Sequence, residues 1–247
     1  MTGLVIRPLI TAFAFLTRLP IRAGSISDRD LGRSVGFFPL VGLVLGLVTA
    51  GLAYALAGFF TPTMVAIAVV AAGALLTGGL HLQGLSDLFD GLARGQGDRE
   101  RILAIMRDDR TGAQGAAAVM LVLAAKIAAV TVLIDGRSFF ALVAMPVIAR
   151  FAVAPVIVMF PYTRPEGLGR AFNGEAGATQ LVVAAVTMGA VLFAFGLGLG
   201  QPALAGLLTA IILALALYAK LGGLTGDIYG AAIELAEVAA AFVATLV

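Results

Sequence analysis

Two aspartates three residues apart, Asp87 and Asp90, lie in the longest polar interval of a 247-residue chain, Gln83 to Gly112 (QGLSDLFDGLARGQGDRERILAIMRDDRTG). On a helix that spacing puts both carboxylates on one face. Like charges so close repel unless a cation lies between them. Carboxylate oxygens suit a hard ion such as Mg²⁺, which takes one or two of them plus substrate phosphate. Asp108 and Asp109 follow, flanked by Arg107 and Arg110. Arginines beside acids match a metal–diphosphate site, with metal on carboxylate and guanidinium on phosphate oxygen. Solvated loop charges making ordinary surface pairs are the plainer alternative.

A second acidic element, Leu221 to Glu234, reads LGGLTGDIYGAAIE. Asp227 opens its apolar run after a glycine-rich turn that ends at Gly226. Glycines before a helix start allow close approach of backbone N–H groups to a phosphate; in membranes they also serve tight helix packing. Glu234 stands seven residues on, two turns along the same face, as a further candidate ligand, and Glu237 follows. Lys126 and Arg150 lie deep within apolar runs. Ionisable residues there are costly and face the bundle interior, either toward substrate or toward Glu234 and Glu237 as structural partners. His81 sits where an apolar run meets the polar interval. It is a candidate acid–base group, weighed against the commoner satisfied interfacial histidine.

The elements that position these groups follow from composition. The chain is 61% hydrophobic and 12% charged, with 31 glycines and a mean hydropathy of +1.06. A soluble domain is near 45–50% apolar with glycine counted, and about 25% charged. A soluble enzyme, a disordered tail and a nucleic-acid partner are excluded, and continuous apolar runs disfavour a β-barrel. The expected fold is all-α, a polytopic membrane bundle in one domain. Seven runs are long enough to span: Val35 to Phe60, Pro62 to Leu82, Ala113 to Ile134, Phe139 to Phe160, Gln180 to Gly200, Pro202 to Leu221 and Ile228 to Val247. Leu4 to Leu19 is shorter, carries Arg7 and Arg18, and reads as interfacial or re-entrant. With a cytoplasmic N-terminus, the inside segments hold 13 of the 16 basic residues, Arg22 among them, and the outside turns hold only Arg137. That asymmetry places the polar interval 83–112 on the cytoplasmic face of a bacterial inner membrane. No cysteine is present and His81 is the lone histidine, which excludes disulfides, thiolate metal sites and a multi-histidine centre.

Asp87, Asp90 and Gly91 match the D-x-x-D-G start of CDP-alcohol phosphotransferases, which act on lipid acceptors, and Asp108 falls at the next acid's distance. The remaining features of that signature are absent. A fuller resemblance is to the cobalamin synthase family, the adenosylcobinamide-GDP ribazoletransferases. GGLHLQGLSDLFDG (Gly78 to Gly91), RERILAIMRDDRTGAQG (Arg99 to Gly115) and KLGGLTGDIYGAAIELAE (Lys220 to Glu237) are similar to its three long motifs. FLTRLP, GFFPLVGLVLG, Lys126 and Arg150 also fit. The resemblance implies transfer of α-ribazole, or its 5′-phosphate, to adenosylcobinamide-GDP with loss of GMP and a requirement for Mg²⁺. It makes Asp87, Asp90, Asp108 and Asp227 the metal and diphosphate candidates, with Arg107 and Arg110 beside them. The family's HLDG is HLQG here: Gln83 stands at an acidic position, where it can donate a hydrogen bond but carry no charge. Asp109 replaces a usual serine. Gln83 and Asp87, one helical turn apart, are expected to line one cavity. A transporter using Lys126, Arg150 and Glu234 as an ion relay is disfavoured, because the acids gather at one end of the chain's spans. A homo-oligomer is compatible with all of this.

Overall fold

The structure, a computed structural model, describes residues 3–21, 24–108 and 110–247. Arg22 and Asp109, both used above, lie outside the described residues. The chain is a polytopic helical membrane protein, and the described residues contain no strand. Its helices are α1 (Gly3–Leu16), α2 (Asp28–Ser34), α3 (Phe38–Leu56), α4 (Pro62–Thr77), α5 (Leu80–Arg94), α6 (Arg99–Ile105), α7 (Ala113–Asp135), α8 (Phe139–Met159), α9 (Leu168–Glu175), α10 (Ala178–Phe195), α11 (Gly200–Leu221) and α12 (Gly226–Ala244).

All seven apolar runs are helical, but the count of spans is lower than seven. Five helical segments are long and apolar enough to cross a bilayer, with α2 and α3 joined as one, and a bent pair makes a sixth. That pair is α4 and α5, which meet at 89°. The cause is local: Gly78 and Gly79 both take left-handed φ, 63° and 68°, a conformation that costs other residues a Cβ clash. The expected span to Leu82 therefore ends at Thr77. The expected loop 83–112 is also largely helical, comprising most of α5, then α6, whose first turn is capped by the Asp98 carboxylate accepting from Arg101 N–H at 2.7 Å. The seventh run, α12, carries Asp227, Glu234 and Glu237 and falls outside the span set. α1 is a short apolar helix, in line with a segment too short to cross.

α8 and α12 form the centre. The stretch Ala141 to Ala149 of α8 is buried on every side, as a helix without a polar face must be. α3 lies along it at very short range: a Cβ on Gly42 or Gly46 would fall within 3 Å of the Pro146 or Val143 backbone. Small residues permit such close packing in bilayers, where van der Waals contact replaces the hydrophobic drive. α5 crosses α12 in the same way at Gly84, whose Cβ would meet the Asp227 carbonyl oxygen at 2.6 Å. This crossing sets Gln83 and His81 beside the start of α12.

Candidate functional site

The three motif stretches meet in space. Thr225 caps α12, accepting from Ile228 N–H at 3.4 Å, and its hydroxyl donates to the Asp227 carboxylate at 3.2 Å. The preceding residues pair with the segment after α8: Leu224 N–H donates to Pro161 O at 2.8 Å and Thr163 N–H to Leu224 O at 2.9 Å. That pairing delivers Arg164, whose guanidinium binds the Asp227 carboxylate at 2.7 Å. Arg99, first residue of α6, clips the same junction, donating to Leu221 O at 2.6 Å and to the Thr163 hydroxyl at 2.8 Å.

A cavity of about 300 Å³ opens at this junction, between α1, α5, α9 and the start of α12. His81, Gln83, Gly226 and Asp227 line it together, so four sequence candidates from two motifs share one wall. Gln83 also borders a second pocket on the other side of α5, with Ser86, Asp87 and Thr111. Gln83 and Asp87 thus line one pocket, as their spacing implies.

The other acids are occupied elsewhere. Asp90 is buried and accepts from Gly112 N–H at 2.6 Å and Gly115 N–H at 3.0 Å, so its carboxylate closes the N-terminus of α7. A Cβ on either glycine would strike that carboxylate, which accounts for the glycines of the RTGAQG stretch. Asp108 faces solvent in a two-point pair with Arg110. This bond, with the Arg110 N–H beside it, pulls the Asp108 carboxyl down to about 2 and raises the Arg110 guanidinium. Arg107 is exposed just beyond α6. Among the described residues no group of three or more Asp, Glu, His or Cys side chains is set to hold a metal ion. Asp87, Asp90, Asp108 and Asp227 therefore do not gather into one ligand cluster.

Lys126, Arg150 and Glu234 belong to a separate buried network. Lys126 Nζ pairs with Glu234 at 2.7 Å and Glu237 at 3.1 Å, and Arg150 with Glu237 at 2.6 Å. His81 Nδ1 lies 3.5 Å from Arg150 Nη2 and 4.0 Å from Glu234. Two cations and two carboxylates balance, and the network ties α5, α7, α8 and α12 across the bundle. Sequence reasoning left these pairs open between substrate and structure; the side chains pair with each other around a small cavity of about 60 Å³.

Arg164, Tyr162 and Tyr229 line the larger cavity and were not singled out from sequence. Tyr229 stands two residues after Asp227 in the third motif, which was its signal; Arg164 had only its place in a short polar link. Burial pushes the Tyr162 phenol up, so its O–H stays protonated at neutral pH.

Residues 8–245 match the family model for cobalamin-5-phosphate synthase. The chain belongs to the cobalamin-5-phosphate synthase family. Relatives named adenosylcobinamide-GDP ribazoletransferase match it nearly end to end. That of Geotalea daltonii is 40% identical over 95% of each chain. That of Pseudomonas savastanoi is 41% identical over 94% of this chain and 96% of its own. That of Clostridioides difficile is 34% identical over 92% and 93%. No solved structure matches.

Proposed function

We propose that this member of the cobalamin-5-phosphate synthase family joins α-ribazole, or its 5′-phosphate, to adenosylcobinamide-GDP with release of GMP. The near full-length likeness to relatives of that name carries the reading; the meeting of the first and third motifs at one cavity supports it. A ribose hydroxyl of the acceptor attacks the cobinamide-side phosphorus. A new P–O bond forms, the hydroxyl proton is lost, and the bond to the GMP oxygen breaks. Arg164, Gln83 and the Gly226 turn at the cavity mouth would orient the diphosphate and hold its oxygens.

Mg²⁺ is part of the proposal. Asp87, Ser86, Thr111 and Gln83 offer a partial set of hard oxygen donors at one pocket, which fits an ion that keeps waters and draws on substrate phosphate. When bound it would offset the charge on the diphosphate. The cytoplasmic placement of this end in a bacterial inner membrane rests on the arginine asymmetry. Single cysteines in the cysteine-free chain test it: external labelling near Gln96, and none near Gly136, would reverse the orientation.

The deciding assay incubates purified protein with adenosylcobinamide-GDP, α-ribazole and Mg²⁺ and measures GMP. GMP release that needs both substrates and stops with EDTA is expected. Release of CMP from a CDP-alcohol donor onto lipid, with no GMP, would overturn the reading.

A further inference from the structure

Another pocket, of about 350 Å³, lies at the far end of the bundle from the motifs. The turns after α3 and after α7 form it, and its walls include Tyr54, Phe60, Asp135, Arg137 and Phe139. α7 starts at the end of the second motif and runs 23 residues, about 35 Å, before it reaches this pocket. The hydrocarbon core of a bilayer is about 30 Å thick. The motif cavity and this pocket therefore lie toward opposite membrane surfaces. Phe59 and Phe140 beside the pocket, and Tyr54 on its wall, are exposed, as in the aromatic belts that mark the headgroup layer.

Asp135 and Arg137 are the only charged residues in the stretches 34–80 and 127–149, which supply all four helix ends here. They are opposite in sign and two residues apart, yet neither makes an ion pair or a side-chain hydrogen bond with a described residue. The backbone fixes the turn that carries them. Arg137 takes a left-handed φ of 55°, its N–H donates to Ile134 O at 3.0 Å, and Ser138 N–H donates to Leu133 O at 2.8 Å. Each charge also stands at the helix end that disfavours it. Asp135 closes α7, at the negative end of that dipole, and Arg137 precedes α8, at the positive end. Ser138 gives α8 no side-chain cap, so the first N–H groups of α8 add to the positive pole. The pocket thus has one negative and one positive pole, and no described residue neutralises either.

We propose that this pocket binds the headgroup of a zwitterionic phospholipid with a primary ammonium, phosphatidylethanolamine, in the leaflet opposite the motif cavity. The phosphate accepts from the Arg137 guanidinium and the first N–H groups of α8. The ammonium donates to the Asp135 carboxylate at the end of α7. An anionic headgroup would leave Asp135 facing a like charge. A quaternary ammonium has no N–H to give Asp135 and would need aromatic faces turned toward it. Tyr54 and Phe139 instead meet edge to face, with centroids 5.6 Å apart, so one ring covers a face of the other. The volume sits at the lower end of ligand pockets, roughly 300–1,000 Å³, which suits a headgroup with its tails outside, along the exposed aromatic residues. The bound lipid ties the α3–α4 turn to the α7–α8 turn. The site is independent of the transferase reading.

The test is lipid binding to the full chain, purified in detergent and titrated with one lipid at a time, read by native mass spectrometry. The probes are phosphatidylethanolamine, phosphatidylcholine and phosphatidylglycerol with identical acyl chains, and glycerophosphoethanolamine, the same headgroup without tails. Wild type is expected to bind one phosphatidylethanolamine about tenfold more tightly than either other lipid. Asp135→Asn should weaken phosphatidylethanolamine by about tenfold and tighten phosphatidylglycerol, so the preference disappears or inverts. Arg137→Gln should weaken both. A merely structural role for Asp135 would not move the two lipids in opposite directions. Glycerophosphoethanolamine should bind about tenfold more weakly than the lipid or worse; equal binding would give the pocket to a soluble zwitterion and overturn the assignment. So would equal binding of the three lipids by wild type, or tighter binding of phosphatidylcholine or phosphatidylglycerol. A preference unchanged in both variants would overturn it as well, by placing the lipid elsewhere. Both substitutions fall on exposed turn residues, and melting temperatures in lipid-free detergent check that the variants fold. The wild-type comparison decides the headgroup even where a variant does not fold.

Discussion

Asp90 and Asp108 look alike in sequence and differ in what surrounds them. Asp90 is sealed beneath the first turn of α7, where two backbone N–H groups point at its oxygens. Asp90→Asn turns one acceptor into a donor facing a donor, so stability should fall by about 1–3 kcal/mol, read as a lower melting temperature in detergent. The Mg²⁺ concentration giving half-maximal turnover should not move; a rise in it at unchanged stability would make Asp90 a ligand instead. Asp108 is held ionised by Arg110, with its carboxyl lowered from 3.8 to about 2. A carboxylate with a depressed folded-state pKa contributes stability above its unfolded pKa and loses it as pH falls through the folded one. Its contribution is thus whole above about pH 4 and gone below about pH 2. An acid limb of turnover between pH 5 and 7 should therefore persist unchanged in Asp108→Asn, measured as a kcat profile. Residue types and spacing marked out Asp87, Gln83, His81, Gly226 and Asp227 as neighbours of one region. They could not tell a helix-closing aspartate from a ligand, because Asp90 takes its role from glycines 22 and 25 positions away. Arg164 escaped notice because its value comes from the Leu224 pairing, a contact with no local signature.

At the scale of elements, hydropathy identified every long helix and misjudged where two of them stop being spans. Apolar content continues through Gly78 and Gly79, so a sliding window runs across the bend; only the left-handed φ of both glycines breaks the helix. Likewise α12 is apolar enough by composition to span, but it carries three acids, which pair with Arg164, Lys126 and Arg150. The α5–α12 crossing is the element contact on which the cavity depends. Gly84→Ala would place a methyl group 2.6 Å from the Asp227 carbonyl oxygen. Relief requires the helices to part, at about 1–3 kcal/mol. The expected result is a raised KM for adenosylcobinamide-GDP in a protein that still folds in detergent, since Gln83 and the Gly226 turn would separate with their helices. An unchanged KM would mean the crossing does not set the cavity's shape.

Across the whole molecule, four helices converge on two cations and two carboxylates in an apolar interior. Such groups stabilise little as a set against a hydrophobic replacement, while removing one partner strands a charge, at about 3–5 kcal/mol. Glu237→Gln should therefore sharply lower the yield of folded protein, and Lys126→Met combined with Glu234→Leu should be milder than Lys126→Met alone. Melting temperatures of these variants and of Glu234→Leu alone decide it; additive losses in the double variant would rule out coupling. The sequence limited these charges to the interior but left their partners open, since pairing depends on which helices face each other. The bend after Thr77 has a further consequence, for the surrounding lipid. α4 has 16 residues, about 24 Å of helix, against a hydrocarbon thickness of about 30 Å. Lipid meeting this side of the protein must shorten to match, so α4 imposes a local pinch on the bilayer beside the buried charge network whose small cavity it lines. Reconstituted into phosphatidylcholines of increasing acyl length, the protein should lose turnover and thermal stability together as the bilayer thickens; a level response across the series would mean that α4 imposes no such mismatch.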